Sequence, residues 1–340
     1  MAGHELLLTS VQLGSFRRAL LRWYDHARRD LPWRRDHDPY RVWVSEIMLQ
    51  QTRVAAVLDH YACFMLRFPT VQSLAAAREA SVLAVWSGLG YYHRARRMHQ
   101  AAKVIARERG GEFPRTTEEW LELPGIGRYT AAAIESIAFG EPVAVVDGNV
   151  ERVLQRLAGA KLSKETVWQN AESLLDRTRP GDFNQAMMEL GATICTPRAP
   201  KCLLCPLRSF CQSRGADEPL VSAPRKRKEL CYALARNNDA VLLVRRPPTA
   251  SLMAGMWELP AFAARQVNGD APLMQLRHSI TDTDYRVTLY AVAPTQLQES
   301  ATEARWFTGK QCERLPLTGL ARKILRRTTL ASKLAFVVSK

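Results

Sequence analysis

Four cysteines close together in the sequence are the residues best suited to chemistry. Cys195, Cys202, Cys205 and Cys211 follow the spacing C-x6-C-x2-C-x5-C. Thiolates bind soft metals, and four of them complete either a zinc site or an iron–sulfur cluster. Structural zinc sites usually pair two short CxxC segments, and only Cys202 and Cys205 form one here. The wide, uneven spacing therefore favours a [4Fe–4S] cluster.

Two disulfides in a secreted protein are the weaker alternative. The first ten residues have no basic segment typical of a secretion signal, and Cys63, Cys231 and Cys312 would be left over. No uninterrupted apolar run approaches the length of a membrane span. The sequence therefore predicts a cytoplasmic protein with no membrane partner.

Two carboxylates are candidates for acid–base and electrostatic chemistry. Glu46 lies among Val44, Ile47 and Met48, and apolar surroundings raise a carboxyl pKa so that the group can act as a general acid near neutral pH. A solvated helix face is the alternative for Glu46. Asp147 ends an apolar run just before a helical pattern, where it could cap the helix or face a cationic sugar.

The string LPGIGRYTAAAI, residues 123–134, is typical of a helix–hairpin–helix. Gly125 and Gly127 permit a tight turn that exposes amide N–H groups at the start of the next helix. Such a turn grips a DNA phosphate without regard to sequence. An ordinary hairpin of two helices is the alternative.

The charge points to a polyanionic partner. The formal net charge is +15, and Lys and Arg outnumber Asp and Glu by 29 to 22 in residues 1–215 and by 19 to 11 in 216–340. Both parts are thus basic, which fits nucleic acid bound across both. Charge alone does not exclude a basic enzyme with another substrate.

The elements that must position these residues fall into two groups. Apolar spacing of three and four predicts helices over 14–27, 41–58, 71–87, 94–108, 116–123, 128–139 and 149–158. Strands are predicted over 230–236, 240–245 and 285–292, followed by a helix over 318–330. We therefore predict a mainly α domain (1–215), a linker (216–228) and an α+β domain (229–340).

Several strings occur together in an order that resembles the MutY-type adenine DNA glycosylases. They are LPWR (31–34), SEIMLQQT (45–52), GLGYYHRAR (88–96), LPGIGRYTAA (123–132), VDGNV (146–150), FNQAMMELGATIC (183–195) and the four-cysteine segment. The resemblance implies a helix–hairpin–helix glycosylase fold with a [4Fe–4S] loop, followed by a MutT-like (Nudix-like) domain.

The resemblance also implies roles for individual residues. Glu46 would protonate adenine N7, Asp147 would stabilise the cationic sugar, and Tyr129 and Asn149 would support them. The adenine pocket would comprise Trp33, Arg34, Leu49 and Glu189, and Gln51 and Tyr91 would probe beside the mispaired purine. Related enzymes of the endonuclease III type carry a Schiff-base lysine at the position of Tyr129, so we expect a monofunctional glycosylase.

The last third of the chain resembles the family's lesion-recognition domain. The strings at 250–260 and 304–326 carry this likeness, while the glutamate-rich Nudix box is absent, so no second hydrolytic site is implied. The loop expected to contact 8-oxoguanine spans residues 278–282. Thr281 keeps a hydroxyl there, but Ile280 and Asp282 replace an aromatic residue and a histidine, and Asp282 cannot donate as histidine does.

The implied function is excision of adenine opposite 8-oxoguanine or guanine in duplex DNA by a monomeric, cytoplasmic enzyme of base excision repair, associated with the nucleoid if bacterial. One alternative is a related glycosylase acting on thymine mispairs or oxidised pyrimidines. Another is a DNA-binding protein without catalysis. Glu46 favours adenine, because N7 protonation has no pyrimidine counterpart.

Overall fold

The computed structural model describes residues 8–214, 225–261, 271–280, 282–293, 297 and 303–335, with only the backbone of 329–335. Two compact units make up the chain. One comprises Met1–Ala75 and Gln100–Val221, and the other comprises Ala76–His99 and Ser222–Lys340. The second unit is therefore discontinuous in sequence. The predicted linker 216–228 lies mostly outside the described residues, and a strand already begins at Lys226.

Helices build the first unit. They are α1 (Ser10–Ala27), α2 (Pro39–Leu49), α3 (Val54–Arg67), α4 (Val71–Ala76), the C-terminal part of α6 (Tyr92–Glu108), α7 (Thr117–Leu121), α8 (Arg128–Ala138), α9 (Gly148–Ala158), α10 (Lys164–Leu174) and α11 (Pro180–Thr193). Helix α5 (Glu79–Trp86) and the start of α6 belong to the second unit. Side-chain caps start several of them: Thr9 forms a capping box with Gln12, and Asp38 accepts from the amides of Tyr40 and Arg41. The helical fold class is confirmed.

An apolar core joins α1, α9, α10 and α11. Phe16, Leu20, Leu154 and Leu175 are fully or almost fully buried within it. Leu207, from the segment between Cys205 and Cys211, is also fully buried in this core. Burial of a leucine side chain stabilises a fold by about 1.5–3 kcal/mol. Leu207 therefore anchors the cysteine segment on the helices.

One predicted helix is two helices in the structure. The apolar spacing predicted a helix over 41–58, but α2 ends at Leu49 and α3 begins at Val54. Gln51 in the turn has a φ of +55°, which an L-residue adopts only outside a right-handed helix. The turn leaves Gln51 exposed to solvent. Helices α10 and α11 were not among the predicted helices.

The second unit carries the strands. They are β1 (Lys226–Leu234), β2 (Arg236–Asn237), β3 (Ala240–Arg245), β4 (Trp257–Glu258), β5 (Met274–Ile280), β6 (Thr283–Ala291) and β7 (Ala304–Thr308), followed by α12 (Gly309–Glu313) and α13 (Gly319–Ala335). In one sheet β6 lies between β1, which is parallel to it, and β5, which is antiparallel; the other has the order β2-β3-β4, with β7 paired to β3. Their apolar faces share a core that includes Leu243, Val287 and Ile324. The predicted α+β character is confirmed.

Helix α5 and the start of α6 pack within this second unit. The Ser87 hydroxyl donates to the carbonyl of Leu317 at 2.6 Å and accepts from Arg322 at 2.9 Å. The hydroxyl of Tyr92 donates to the same carbonyl at 3.3 Å. Ser87, Tyr92 and Leu317 are all buried. Among the helices described, none combines the length and apolar character that a membrane crossing requires.

Candidate active site

Glu46 lies near the end of α2 and is 5% exposed. Burial raises the pKa of its carboxyl to about 7; the charge of Asp147 acts in the same direction, while the hydrogen bond from Tyr129 and the charge of Arg34 lower it. A group with this pKa exchanges a proton readily at neutral pH. The apolar neighbours of Glu46 predicted a raised pKa, which the structure confirms; its role as a general acid stays a prediction.

Tyr129 is the direct partner of Glu46. Its hydroxyl donates to Oε2 of Glu46 at 2.5 Å and also lies 3.6 Å from Sδ of Met188. Burial, together with the nearby carboxylates of Glu46 and Asp147, raises the phenol pKa well above its usual value. Tyr129 therefore keeps its proton and remains a donor at every physiological pH.

Asp147 caps the N-terminus of α9. Its Oδ1 accepts from the amides of Asn149 at 2.9 Å and Val150 at 2.7 Å, and its Oδ2 accepts from Nδ2 of Asn149 at 2.8 Å. The two functions considered for Asp147 are thus compatible, because a cap occupies only part of a carboxylate's acceptor capacity. The three donors fix the carboxylate at the start of the helix.

A hydrogen-bonded path leads from Asp147 to the cysteine segment. Oδ1 of Asn149 accepts from Nη2 of Arg152 at 2.8 Å, and Nε of Arg152 donates to the carbonyl of Cys195 at 2.8 Å. Nη2 of Arg152 also donates to the carbonyl of Gly191 at 2.7 Å. Arg152 was not among the predicted site residues, although its position one helical turn after Gly148 could have suggested it.

Glu189 on α11 holds two arginines from the N-terminal part of the chain. Arg29 donates to its two oxygens at 2.6 and 2.8 Å, and Nη2 of Arg34 donates at 2.9 Å. Burial of Glu189 tends to raise its pKa, but the hydrogen bonds and charges of Arg29 and Arg34 outweigh burial and lower it. The predicted residues Arg34 and Glu189 thus lie together. Arg29 was not predicted.

Two other predicted pocket residues stand on neighbouring elements. Trp33, in the 3₁₀ turn Pro32–Arg34, is 5% exposed and packs edge-on against Tyr61 with 5.2 Å between ring centroids. Leu49 is half-buried and follows Glu46 by three residues on α2, so the two share a helix face.

The helix–hairpin–helix prediction matches α7, the turn after it and α8. Gly125 has a φ of +82°, and Gly127 is the N-cap of α8, so no side chain covers the first amides of that helix. The hydroxyl of Thr117 on α7 donates to Glu135 on α8 at 3.0 Å and ties the two helices together. This geometry leaves an exposed positive helix end.

Tyr91 stands just before α6 in the other unit, with a φ of +48° and a half-buried side chain. Gln51 and Tyr91, the two predicted probing residues, therefore share a left-handed backbone that is uncommon for side chains of their size. Thr281 lies outside the described residues. Next to it, Asp282 pairs with Nζ of Lys226 at 3.0 Å, and the hydrogen bonds from Lys226 and Thr283 lower its pKa to about 2.

The four cysteines are all free thiols of intermediate exposure. Burial of Cys205 is the largest cause that raises its pKa, to about 11. Electrostatic interaction with the other three cysteines also raises this pKa, so the four are neighbours. Nη1 of Arg156 lies 3.3 Å from Sγ of Cys195. Among the described residues, no group of three or more His, Cys, Asp or Glu side chains is arranged to hold a metal ion. Four thiolates are the donor set that an iron–sulfur cluster takes, and a structural zinc site takes the same set.

Two family models match this chain. Residues 44–177 match the HhH-GPD superfamily base excision DNA repair protein family, and residues 231–327 match the NUDIX domain family. A solved structure of a thermostable thymine-DNA glycosylase superposes with a TM-score of 0.56 at 31% identity, covering 60% of this chain and 97% of that one.

Adenine DNA glycosylases are among the curated relatives. The human protein is 48% identical over 229 residues, which are 63% of this chain and 42% of the human chain. The mouse protein is 35% identical over 410 residues, covering 95% of this chain and 79% of the mouse chain. The chain thus spans less than half of the human relative and most of the mouse one. By its identity to these relatives and the extent of the match, the chain belongs to the adenine DNA glycosylase family.

Proposed function

We propose that the protein releases adenine from mispairs with 8-oxoguanine or guanine in duplex DNA by hydrolysing the N-glycosidic bond. The observation that carries the proposal is the buried Glu46, with a pKa of about 7, hydrogen-bonded to Tyr129 and within electrostatic range of Asp147. One proton donor and one carboxylate are the two groups that this hydrolysis requires.

Each carboxylate has its own part in the reaction. Glu46 gives its proton to adenine N7, and the bond from N9 to C1′ breaks with its electron pair passing to the base. Positive charge then develops on the sugar, where Asp147 stabilises it. A water molecule adds to C1′ and loses a proton, which restores the acid. The products are free adenine and an abasic site.

The other site residues hold the extruded base. Adenine must leave the duplex for this chemistry, because N7 and the glycosidic bond are not accessible to a side chain within the stack. Trp33 and Leu49 supply apolar walls, and Glu189, fixed by Arg29 and Arg34, supplies an oriented acceptor. Gln51 and Tyr91 are the residues proposed to contact the DNA beside the mispaired purine.

Strand cutting is not part of the proposed activity. A lyase step needs an amine that attacks C1′ and forms a Schiff base. Tyr129 stands where the related lyases have lysine, and its hydroxyl is engaged with Glu46. Borohydride should therefore trap little or no covalent complex between the protein and DNA.

Cys195, Cys202, Cys205 and Cys211 are the proposed ligands of a [4Fe–4S] cluster. When bound, the cluster supplies a redox-capable inorganic cross-link between the four thiolates. Arg156 offsets negative charge at Cys195, and Leu207 fixes the segment in the helical core. The segment also carries Lys201 and Arg208, which suit contact with DNA phosphates.

A single assay tests the proposed function. Full-length protein is incubated with duplexes containing 8-oxoguanine·adenine, guanine·adenine or guanine·thymine, and each product is analysed with and without alkali. We expect cleavage of the adenine strand only after alkali, and none with thymine. Glu46→Gln should slow adenine release at least ~10²-fold while duplex binding persists. Thymine release, or strand cutting without alkali, would favour the related glycosylases instead.

A further inference from the structure

The guanidinium of Arg94 lies within cation–π distance of two aromatic rings. Its guanidinium carbon is 5.5 Å from the ring centroid of Trp86 and 5.3 Å from that of Tyr91. Arg94 is 6% exposed and Trp86 is fully buried, whereas Tyr91 is only half-buried. The cation of Arg94 therefore contacts both a buried ring of α5 and a ring that reaches solvent.

The same arginine also holds the loop that leads to Tyr91. Its Nη2 lies 3.5 Å from the carbonyl of Leu89 and 3.4 Å from that of Gly90, and the indole N–H of Trp86 donates to the Gly90 carbonyl at 3.1 Å. Gly88 and Gly90 both have positive φ, of 118° and 72°. Arg94 and Trp86 thus support a loop in which two glycines have positive φ angles.

Tyr91 itself has a conformation that needs such support. A left-handed φ in a tyrosine is disfavoured, and strain of this kind persists only where the surroundings over-determine it. The planar guanidinium covers one face of an aromatic ring while its N–H groups hold nearby carbonyls, a combination that the tetrahedral ammonium of lysine does not offer. Burial lowers the pKa of Arg94 to about 10, so it remains a cation at neutral pH.

We propose that Arg94 is a positioning residue that fixes the ring of Tyr91 for insertion beside the mispaired purine. The proposal rests on the proposed function, in which Tyr91 contacts DNA bases. Arg94 does not itself touch the DNA; its effect passes through Tyr91. Loss of the planar cation should leave the fold intact but allow the ring to move, so that insertion becomes less complete.

The test uses full-length protein and a duplex with 2-aminopurine next to 8-oxoguanine, opposite 2′-fluoro-deoxyadenosine to prevent cleavage. Insertion of a side chain unstacks the 2-aminopurine and raises its fluorescence. We expect Arg94→Met to reduce this rise and to slow single-turnover release from the 8-oxoguanine·adenine duplex about tenfold. Arg94→Lys should also reduce the fluorescence rise and the rate of adenine release. The reduction should be smaller than in Arg94→Met, because lysine keeps the positive charge but lacks the planar guanidinium.

A double-mutant comparison separates positioning from a structural role. Tyr91→Ala should abolish most of the fluorescence rise, and Arg94→Met added to Tyr91→Ala should cost little more, because both changes remove the same contact. Arg97→Met is the matched control, since Arg97 is an exposed cation on the same helix; it should keep the fluorescence rise. If Arg94→Met is not folded by circular dichroism, the same comparison is made with Arg94→Lys.

Two results would overturn the proposal while the proposed function stands. One is a fluorescence rise in the Arg94 variants as large as that of the wild type. The other is a rate reduction in the double variant equal to the product of the two single reductions, which would mean that the residues act independently. An absence of adenine release by the wild type would instead contradict the proposed function itself.

Discussion

Gly191 lies against Asn149 so closely that no side chain fits between them. A Cβ placed on Gly191 would come within 2.6 Å of Cβ of Asn149 and 2.9 Å of its carbonyl oxygen. Asn149 donates to Asp147 and accepts from Arg152, so this contact sets how near α11 approaches the start of α9. The glycine thereby helps to place the Asp147 carboxylate.

We therefore expect Gly191→Ala to damage the site. The added methyl group must push Asn149 and its backbone away, and overpacking of this kind costs about 1–3 kcal/mol. Adenine release should slow at least tenfold, measured under single-turnover conditions. Gly14→Ala, in the second turn of α1 where the nearest atom is the end of the Arg18 side chain at 3.3 Å, is the matched control and should leave the rate unchanged. Equal rates for both variants would contradict this account of Gly191.

The raised pKa of Glu46 should also be visible in stability. In the folded protein the pKa is about 7, against an ordinary value of 4.5, so the folded state binds the proton more tightly. Folding is then penalised progressively as pH rises from about 4.5 to 7. Glu46→Gln should remove this penalty. Its effect on the free energy of unfolding should therefore be more favourable at pH 8 than at pH 4.5, by up to about 3 kcal/mol.

Thermal unfolding midpoints at pH 4.5 and pH 8 measure this effect. The gain of Glu46→Gln over wild type should be larger at pH 8. Glu108→Gln, at an exposed position of α6, should show no such difference between the two pH values. A gain that is equal at both pH values would mean that Glu46 titrates normally in the folded protein.

Tyr129→Phe should change the pH dependence of the reaction. The hydroxyl of Tyr129 lowers the pKa of Glu46 by its hydrogen bond, so its removal should raise that pKa further. Because the proposed reaction uses the protonated form of Glu46, the alkaline limb of the rate profile should move to higher pH. Single-turnover rates between pH 5 and pH 9 test this, and a limb that moves to lower pH would contradict it.

Cys202→Ser should reduce iron content and soluble yield. With four thiolates the purified protein should be yellow-brown, and elemental analysis should find iron and sulfide. Cys63→Ser, at an exposed cysteine on α3, is the control and should retain full iron content. One zinc ion and no iron in the wild type would contradict the cluster.

What the sequence could predict was local. Glu46, Asp147 and the two hairpin glycines could be identified from the short segments of sequence around them. In the structure, the charge of Asp147 raises the pKa of Glu46, so the two carboxyl groups are close enough to interact. The break at Gln51 was missed because the apolar pattern continues through the turn, and periodicity does not register a single residue with positive φ.

The supporting residues were harder to find, because their partners are distant in sequence. Arg29 and Glu189 are 160 positions apart, and the path through Arg152 reaches Cys195 across 43. Neither pairing produces a periodic pattern in the sequence. The need for glycine at position 191 arises only from its contact with Asn149 of α9, which the sequence around Gly191 does not indicate. Such contacts follow from tertiary packing rather than from local preference.

The discontinuity of the second unit has a consequence for biosynthesis. Ser87 precedes its buried partner Leu317 by 230 positions, and Tyr92 precedes it by 225. At about 5–20 residues per second, a ribosome needs roughly 10–50 s to make that stretch. During this time α5 and the start of α6 have left the ribosome while their partners do not yet exist. Their polar groups must stay hydrated until Leu317 and Arg322 are synthesised, so this unit can be completed only after that part of the chain has been made.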